Sequence, residues 1–141
     1  MHTGSAVALA AISIWLGMVV AISFIEAPLK FRAPGVTLQI GLGIGRLVFR
    51  ALNGCELLLA VAVVIAFVVS PPAIGVVVAG TTAGLALLAQ ILAVRPALSR
   101  RTDAVLAGSE GPRSQAHLWY VALEVVKVLA LIIAGVLLLT Q

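Results

Sequence analysis

Four apolar segments run along this chain, and two of them are too short to cross a membrane unless they take ionised residues in with them. Residues 57–69 supply 13 uncharged positions and residues 128–139 supply 12. A bilayer core of ~30 Å takes about 20 helical residues. The second span must therefore begin near Leu47 and carry Arg50, Asn53 and Glu56. The fourth must begin near Leu118 and carry Glu124 and Lys127. Ionisable groups at membrane depth are costly, face a bundle interior or a wet cavity, and mark a site whose partners have to be named.

Composition leaves few other options. The chain is 62% apolar and 10% charged, against about 25% charged in a soluble domain. So few polar residues could not cover a water-soluble core. The remaining two apolar segments, 6–25 and 73–94, have no charge at all. The predicted fold is all-α: one integral membrane four-helix bundle, with spans near 5–26, 47–69, 73–95 and 117–139. The first segment is predicted to be a retained helix. Its leading residues lack Lys and Arg, and its apolar run outlasts a signal peptide's. The single cysteine, Cys55, excludes an internal disulfide and is expected to pack as a small buried hydrophobe.

The net charge of +4 comes from seven Arg and two Lys against five acids. In a soluble protein this balance would point to nucleic acid; here topology explains it, and no nucleic-acid partner is expected. Lys30, Arg32, Arg46 and Arg50 cluster between spans one and two. Arg95, Arg100, Arg101 and Arg113 cluster between spans three and four. The link at Ser70-Pro71-Pro72 and both termini carry no Lys or Arg. The positive-inside rule puts both charged loops in the cytoplasm and both termini on the non-cytoplasmic side. The Arg, Ala, Val, Leu and Gly bias reads as bacterial, hence an inner (plasma) membrane location. The second charged loop, residues 99–114, is rich in turn formers and predicted to be irregular.

With that orientation the polar residues converge at the cytoplasmic end. Arg46, Arg50, Asn53 and Glu56 fall within an arc of about 120° of the second helix, and His117, Tyr120, Glu124 and Lys127 within about 80° of the fourth. Ser23, Glu26 and Lys30 join from the first span, and Gln90 and Arg95 from the third. Two readings stand side by side. In one, Lys127 pairs with Glu56 or Glu124, Glu26 pairs with an Arg, and the charges form a structural network. In the other they line a cavity with two excess positive charges, suited to a small anionic solute or a lipid headgroup. Arg46 and Arg50 sit one turn apart and could address one anion together.

Other motifs carry less. Gly41-x-Gly43-x-Gly45 superficially matches a nucleotide loop but lacks a preceding strand; a hinge or helix start is expected there. Gly80-x-x-x-Gly84 is a small-xxx-small pattern, for packing inside the bundle or for docking a second copy or a larger membrane partner. Trp119 and Tyr120 are expected in an interfacial belt. His2 and His117 lie on opposite sides, which excludes a bis-histidine haem within one chain. No cofactor motif or hydrolase-type constellation is visible; His117 with Glu124 could hold one metal ion or move protons, and an enzyme that uses them as acid and base is the less favoured class.

The runs Trp15-Leu-Gly17, Phe24-Ile-Glu-Ala-Pro28-x-Lys-Phe31, Gly45-Arg-Leu-Val-Phe49, Arg95-Pro96-x-Leu98 and His117-x-x-Tyr120 resemble a family of small four-helix membrane proteins. That family includes a vertebrate transmembrane protein implicated in platinum-drug resistance. The resemblance covers nearly the whole chain and implies a four-helix bundle. It implies no catalytic residue.

Overall fold

The computed structural model describes residues 2–108 and 115–141. The turn formers expected at 109–114 lie outside the described residues. Four helices account for the rest: α1 (Thr3–Lys30), α2 (Leu38–Val69), α3 (Ile74–Leu106) and α4 (Gln115–Thr140), each long and apolar enough to span a membrane. The four pack as a bundle. α1 lies against α2 and α4, and α3 against α4, while α2 meets α3 mainly through Arg95–Leu106.

The helices are longer than hydropathy alone predicts. At 1.5 Å per residue, the 32 residues of α2 and the 33 of α3 reach about 48–50 Å, well beyond the ~30 Å hydrocarbon core. Hydropathy marks only the part of a helix that sits in lipid, so it misses turns that continue into water. The expected irregular loop from Ser99 is instead helical to Leu106, and it stops where Gly108 takes φ +100°, a left-handed conformation that favours glycine after a helix end. α2 begins at Leu38 rather than Leu47, behind Thr37, whose hydroxyl accepts from the Ile40 N–H at 3.2 Å. The glycine triplet is neither hinge nor helix start but the second and third turns of α2. Its use is steric. A Cβ on Gly41 would lie 2.1 Å from the Phe31 ring, and one on Gly45 would lie 3.1 Å from Lys30 Nζ. The bare backbone lets the end of α1 lie close against α2.

α1 and α3 each contain a wide, π-helical stretch, at Val20–Glu26 and Gln90–Val94. Each is followed two residues later by a proline, Pro28 and Pro96. Proline donates no N–H and crowds the carbonyl four residues back, here Phe24 and Leu92, so the wide turn accommodates it. Both stretches turn polar side chains, Ser23 and Gln90, toward α4.

The half of the bundle remote from these stretches is dry and tightly packed. Ala8, Ile12, Val76, Ala83, Leu131, Ala134 and Leu138 are at most 1% exposed. Small residues let the backbones approach. Gly80 belongs to this packing, since a Cβ there would lie 2.9 Å from the Phe67 ring, whereas one on Gly84 would meet nothing within 4 Å. Two sequence expectations are corrected here. Cys55 lies exposed on the outer surface of α2, because its position rotates away from the face that carries Asn53 and Glu56. Tyr120 is buried inside the bundle while Trp119 beside it is exposed, so only Trp119 can serve an interfacial belt.

Candidate functional site

The polar residues form two tiers, a buried network and a cavity above it. The network centres on Lys127, whose side chain is 0% exposed. Its ammonium group has three protons and meets three acceptors: Glu56 Oε2 at 2.5 Å, Glu124 Oε1 at 2.5 Å and Gln90 Oε1 at 2.7 Å. The sequence offered Glu56 or Glu124 as the partner; the fold supplies both. Three helices build this contact. Glu124 and Lys127 come from one face of α4, three residues apart, Glu56 from α2 and Gln90 from the wide turn of α3.

The carboxylates are held in turn. Trp15 Nε1 donates to Glu56 Oε2 at 2.7 Å, and Asn53 Nδ2 donates to Glu56 Oε1 at 3.1 Å. Gln90 Nε2 donates to Glu124 Oε1 at 2.9 Å and to the Tyr120 carbonyl at 3.2 Å. Ser23 Oγ bonds to Glu124 Oε2. Arg95 Nη1 donates to Asn53 Oδ1 at 2.7 Å, so a guanidinium stands one residue behind Glu56. The Tyr120 ring meets Phe49 edge-on, with centroids 5.5 Å apart. Burying charge costs several kcal/mol per ion unless pairing and hydrogen bonds offset it, and here every network oxygen has a donor. Helical spacing places Ser23 and Gln90 at the cytoplasmic end, though not among the candidate ligand-binding residues, and it misses Trp15. Trp15 sits inside a segment that reads as a uniformly apolar span, and only its indole N–H distinguishes it.

Above the network, on the side of the two charged loops, lies a cavity of about 400 Å³. Its walls are largely apolar, with Phe24, Phe31, Leu42, Phe49 and Leu98 prominent. Its polar lining includes Lys30, Arg46, Arg95, His117, Tyr120 and Glu124. Lys30 Nζ lies 5.9 Å from the Phe31 ring centroid and 5.8 Å from that of Phe49. Glu26 pairs with Lys30 at 3.6 Å, four residues along the same helix, rather than with an arginine. Among the described residues, the buried side-chain polar atoms with no hydrogen-bond partner are Glu26 Oε2, Lys30 Nζ and Arg46 Nε. All three belong to side chains at or just behind this cavity.

Two further expectations change. Arg46 and Arg50 do not share a pocket. Arg46 lines the cavity and pairs with Asp103 at 2.5 Å. Arg50 is exposed and borders a separate, open depression with Asn53 and Arg95. The charge excess also disappears. Asp103, expected in a loop, arrives on the extended end of α3. Lys30, Arg46, Arg95 and Lys127 then face Glu26, Glu56, Asp103 and Glu124 in equal number. No three His, Cys, Asp or Glu side chains converge as metal ligands among the described residues.

No protein-family model, no curated protein and no solved structure matches the chain.

Proposed function

We propose that the protein is a multi-pass membrane module of the inner (plasma) membrane that binds a singly charged amphiphilic anion, a fatty carboxylate or a lipid headgroup, in its cytoplasm-facing cavity. One observation carries this reading. Lys30 Nζ, on a side chain only 9% exposed, opens onto an apolar-walled cavity with Glu26 as an ionic partner 3.6 Å away and no acceptor within hydrogen-bond distance. An anionic headgroup in the cavity offers the close acceptor that Glu26 does not. Arg46 Nε gives a second unused donor, and the Phe walls suit an acyl chain. The balanced charges around the cavity favour one negative charge over several. Transport would need a route through the dry half, and the tight alanine packing there speaks for binding alone. The runs that carry the family resemblance supply much of the cavity lining, from Phe24, Pro28, Lys30 and Phe31 through Gly45, Arg46 and Phe49 to Arg95, Leu98, His117 and Tyr120. An accessory role through Gly80 and Gly84 has less behind it, because Gly80 is used against Phe67.

The test is thermal unfolding in a neutral maltoside detergent. Oleate should raise the unfolding temperature, and dodecanol, with the same amphiphilic character and no charge, should not. Dioleoylphosphatidylglycerol distinguishes a lipid headgroup from a free carboxylate. Lys30→Met should still fold, because the site is next to water, and should lose the oleate shift. An oleate shift that survives in Lys30→Met would sink the proposed headgroup site.

The orientation is open to a separate measurement. Among the eight described basic residues, all but Lys127 lie at one end, which the positive-inside rule assigns to the cytoplasm. In a Cys55→Ser background, Ala107→Cys should resist an impermeant thiol reagent in intact cells and react in inverted vesicles. Labelling in intact cells would reverse the topology.

A further inference from the structure

The buried triad of Glu56, Glu124 and Lys127 has two carboxylates and one ammonium, a net charge of −1 if both acids are ionised, in side chains no more than 2% exposed. The hydrogen bonds around it decide where a neutralising proton can sit. Trp15 Nε1 can only donate, and so can the Lys127 ammonium. Asn53 has its amide orientation fixed by Arg95, an obligate donor to Oδ1, so Nδ2 faces Glu56 Oε1. Both oxygens of Glu56 therefore receive obligate donors, and neither has room for a proton. Gln90 is fixed in the same way, with Nε2 toward the Tyr120 carbonyl and Oε1 toward Lys127. Glu124 Oε1 thus receives Lys127 and Gln90 and is closed as well. The fourth oxygen, Glu124 Oε2, differs. Its partner is Ser23 Oγ, a hydroxyl that donates or accepts by rotation. Ser23 and Glu124 are also the members of the network core that line the cavity, whereas Glu56, Gln90 and Lys127 do not.

We propose that Glu124 is a proton-binding site: Oε2 takes one proton from hydronium at the cavity, and the new O–H hydrogen-bonds to Ser23 Oγ, while Glu56 stays ionised against Lys127. One O–H bond forms on Oε2 as one breaks on hydronium, which leaves water, and the triad passes from −1 to neutral. Charged and titratable groups face this site from every helix packed on it. From α1 come Glu26 and Lys30, an ion pair. From α2 come Glu56 and Arg46, the latter matched by Asp103 of α3. From α3 comes Arg95, spaced from the triad by Asn53, and from α4 come Lys127, Tyr120 and His117. No third His, Cys, Asp or Glu joins Glu56 and Glu124 as a metal-ligand group among the described residues. Protonation also removes the negative charge from the cavity floor, so an anion seated on Lys30 should draw the proton in. That last consequence alone rests on the ligand reading above.

The same bookkeeping separates the two acids by substitution. In Glu124→Gln the amide oxygen can keep Lys127 and Gln90 while the NH₂ donates to Ser23, which mimics the protonated state. In Glu56→Gln the NH₂ must face Trp15 and Lys127 or else Asn53, donors in either orientation. Infrared spectra of the purified full chain in liposomes, titrated from alkaline to acid pH, should show a protonated-carboxyl stretch growing in. Glu124→Gln should lose that band and melt with little dependence on pH. Ser23→Ala should keep the band at a shifted frequency. Glu56→Gln should melt well below the wild type throughout; if it does not fold, the other three spectra still decide. A band that persists in Glu124→Gln, a wild type with no band at any pH, or a Glu124→Gln protein less stable than Glu56→Gln would each overturn the proposal. A pH-dependent Glu124 band that ignores added oleate leaves the proton site standing and counts against the ligand.

Discussion

Lys127→Met should be the most damaging single substitution in the chain, lowering stability by at least about 3–5 kcal/mol, the cost of breaking a buried ion pair by removing one partner. The side chain is similar in length and Met fills the space, so volume is not the cause. Two carboxylates lose their shared counter-charge at once, and Gln90 Oε1 loses its donor. Arg95 reaches Asn53 rather than either acid. The variant's stability should recover as pH falls, because protonating one carboxylate brings the pair from −2 back to the −1 of the wild-type triad, and a Lys127→Met/Glu124→Gln double variant should recover part of the loss at neutral pH. Detergent melting curves at two pH values check both statements. A Lys127→Met protein that melts like the wild type would mean that the two carboxylates need no shared counter-charge, and the ion-pair network would be wrong.

The triad was legible in the sequence because two apolar runs were too short to cross a membrane. That shortfall forces Glu56, Glu124 and Lys127 to membrane depth, and helical spacing puts Glu124 and Lys127 on one face of α4. What the spacing cannot give is how each helix is rotated against the next. Trp15 reads as one more apolar residue of α1 until α2 presents Glu56 to its indole N–H. Arg46 and Arg50 share a helix face, yet the extended end of α3 brings Asp103 to Arg46 and leaves Arg50 outside. That extension was itself hidden, because hydropathy stops where the lipid stops and Arg95–Leu106 is a polar helix. The two prolines were visible, but the sequence does not say that each is absorbed by a wide turn that aims a polar side chain inward.

Gln90→Leu should cost about 3 kcal/mol, the upper range for a hydrogen bond to a buried charge, although leucine is close to glutamine in size and suits a membrane span. Gln90 is 0% exposed, accepts from Lys127 and donates to Glu124 and to the Tyr120 carbonyl. The carbonyl lies within α4, so the helix covers it; the ammonium proton has no other acceptor to turn to. That reasoning predicts strong coupling. Once Lys127→Met has removed the donor, Gln90→Leu has little left to lose on that side, so the double variant should fall short of the sum by about 1–3 kcal/mol. Asp103→Asn provides the contrast. It breaks the Arg46 pair at the far edge of the cavity, shares no partner with Gln90, and should add to Gln90→Leu within about 0.5 kcal/mol. Melting of the four proteins in each cycle measures both couplings. Additivity between Gln90→Leu and Lys127→Met would show that the two side chains do not act as one unit, and Gln90 would then be filling space rather than completing the coordination of the buried ammonium.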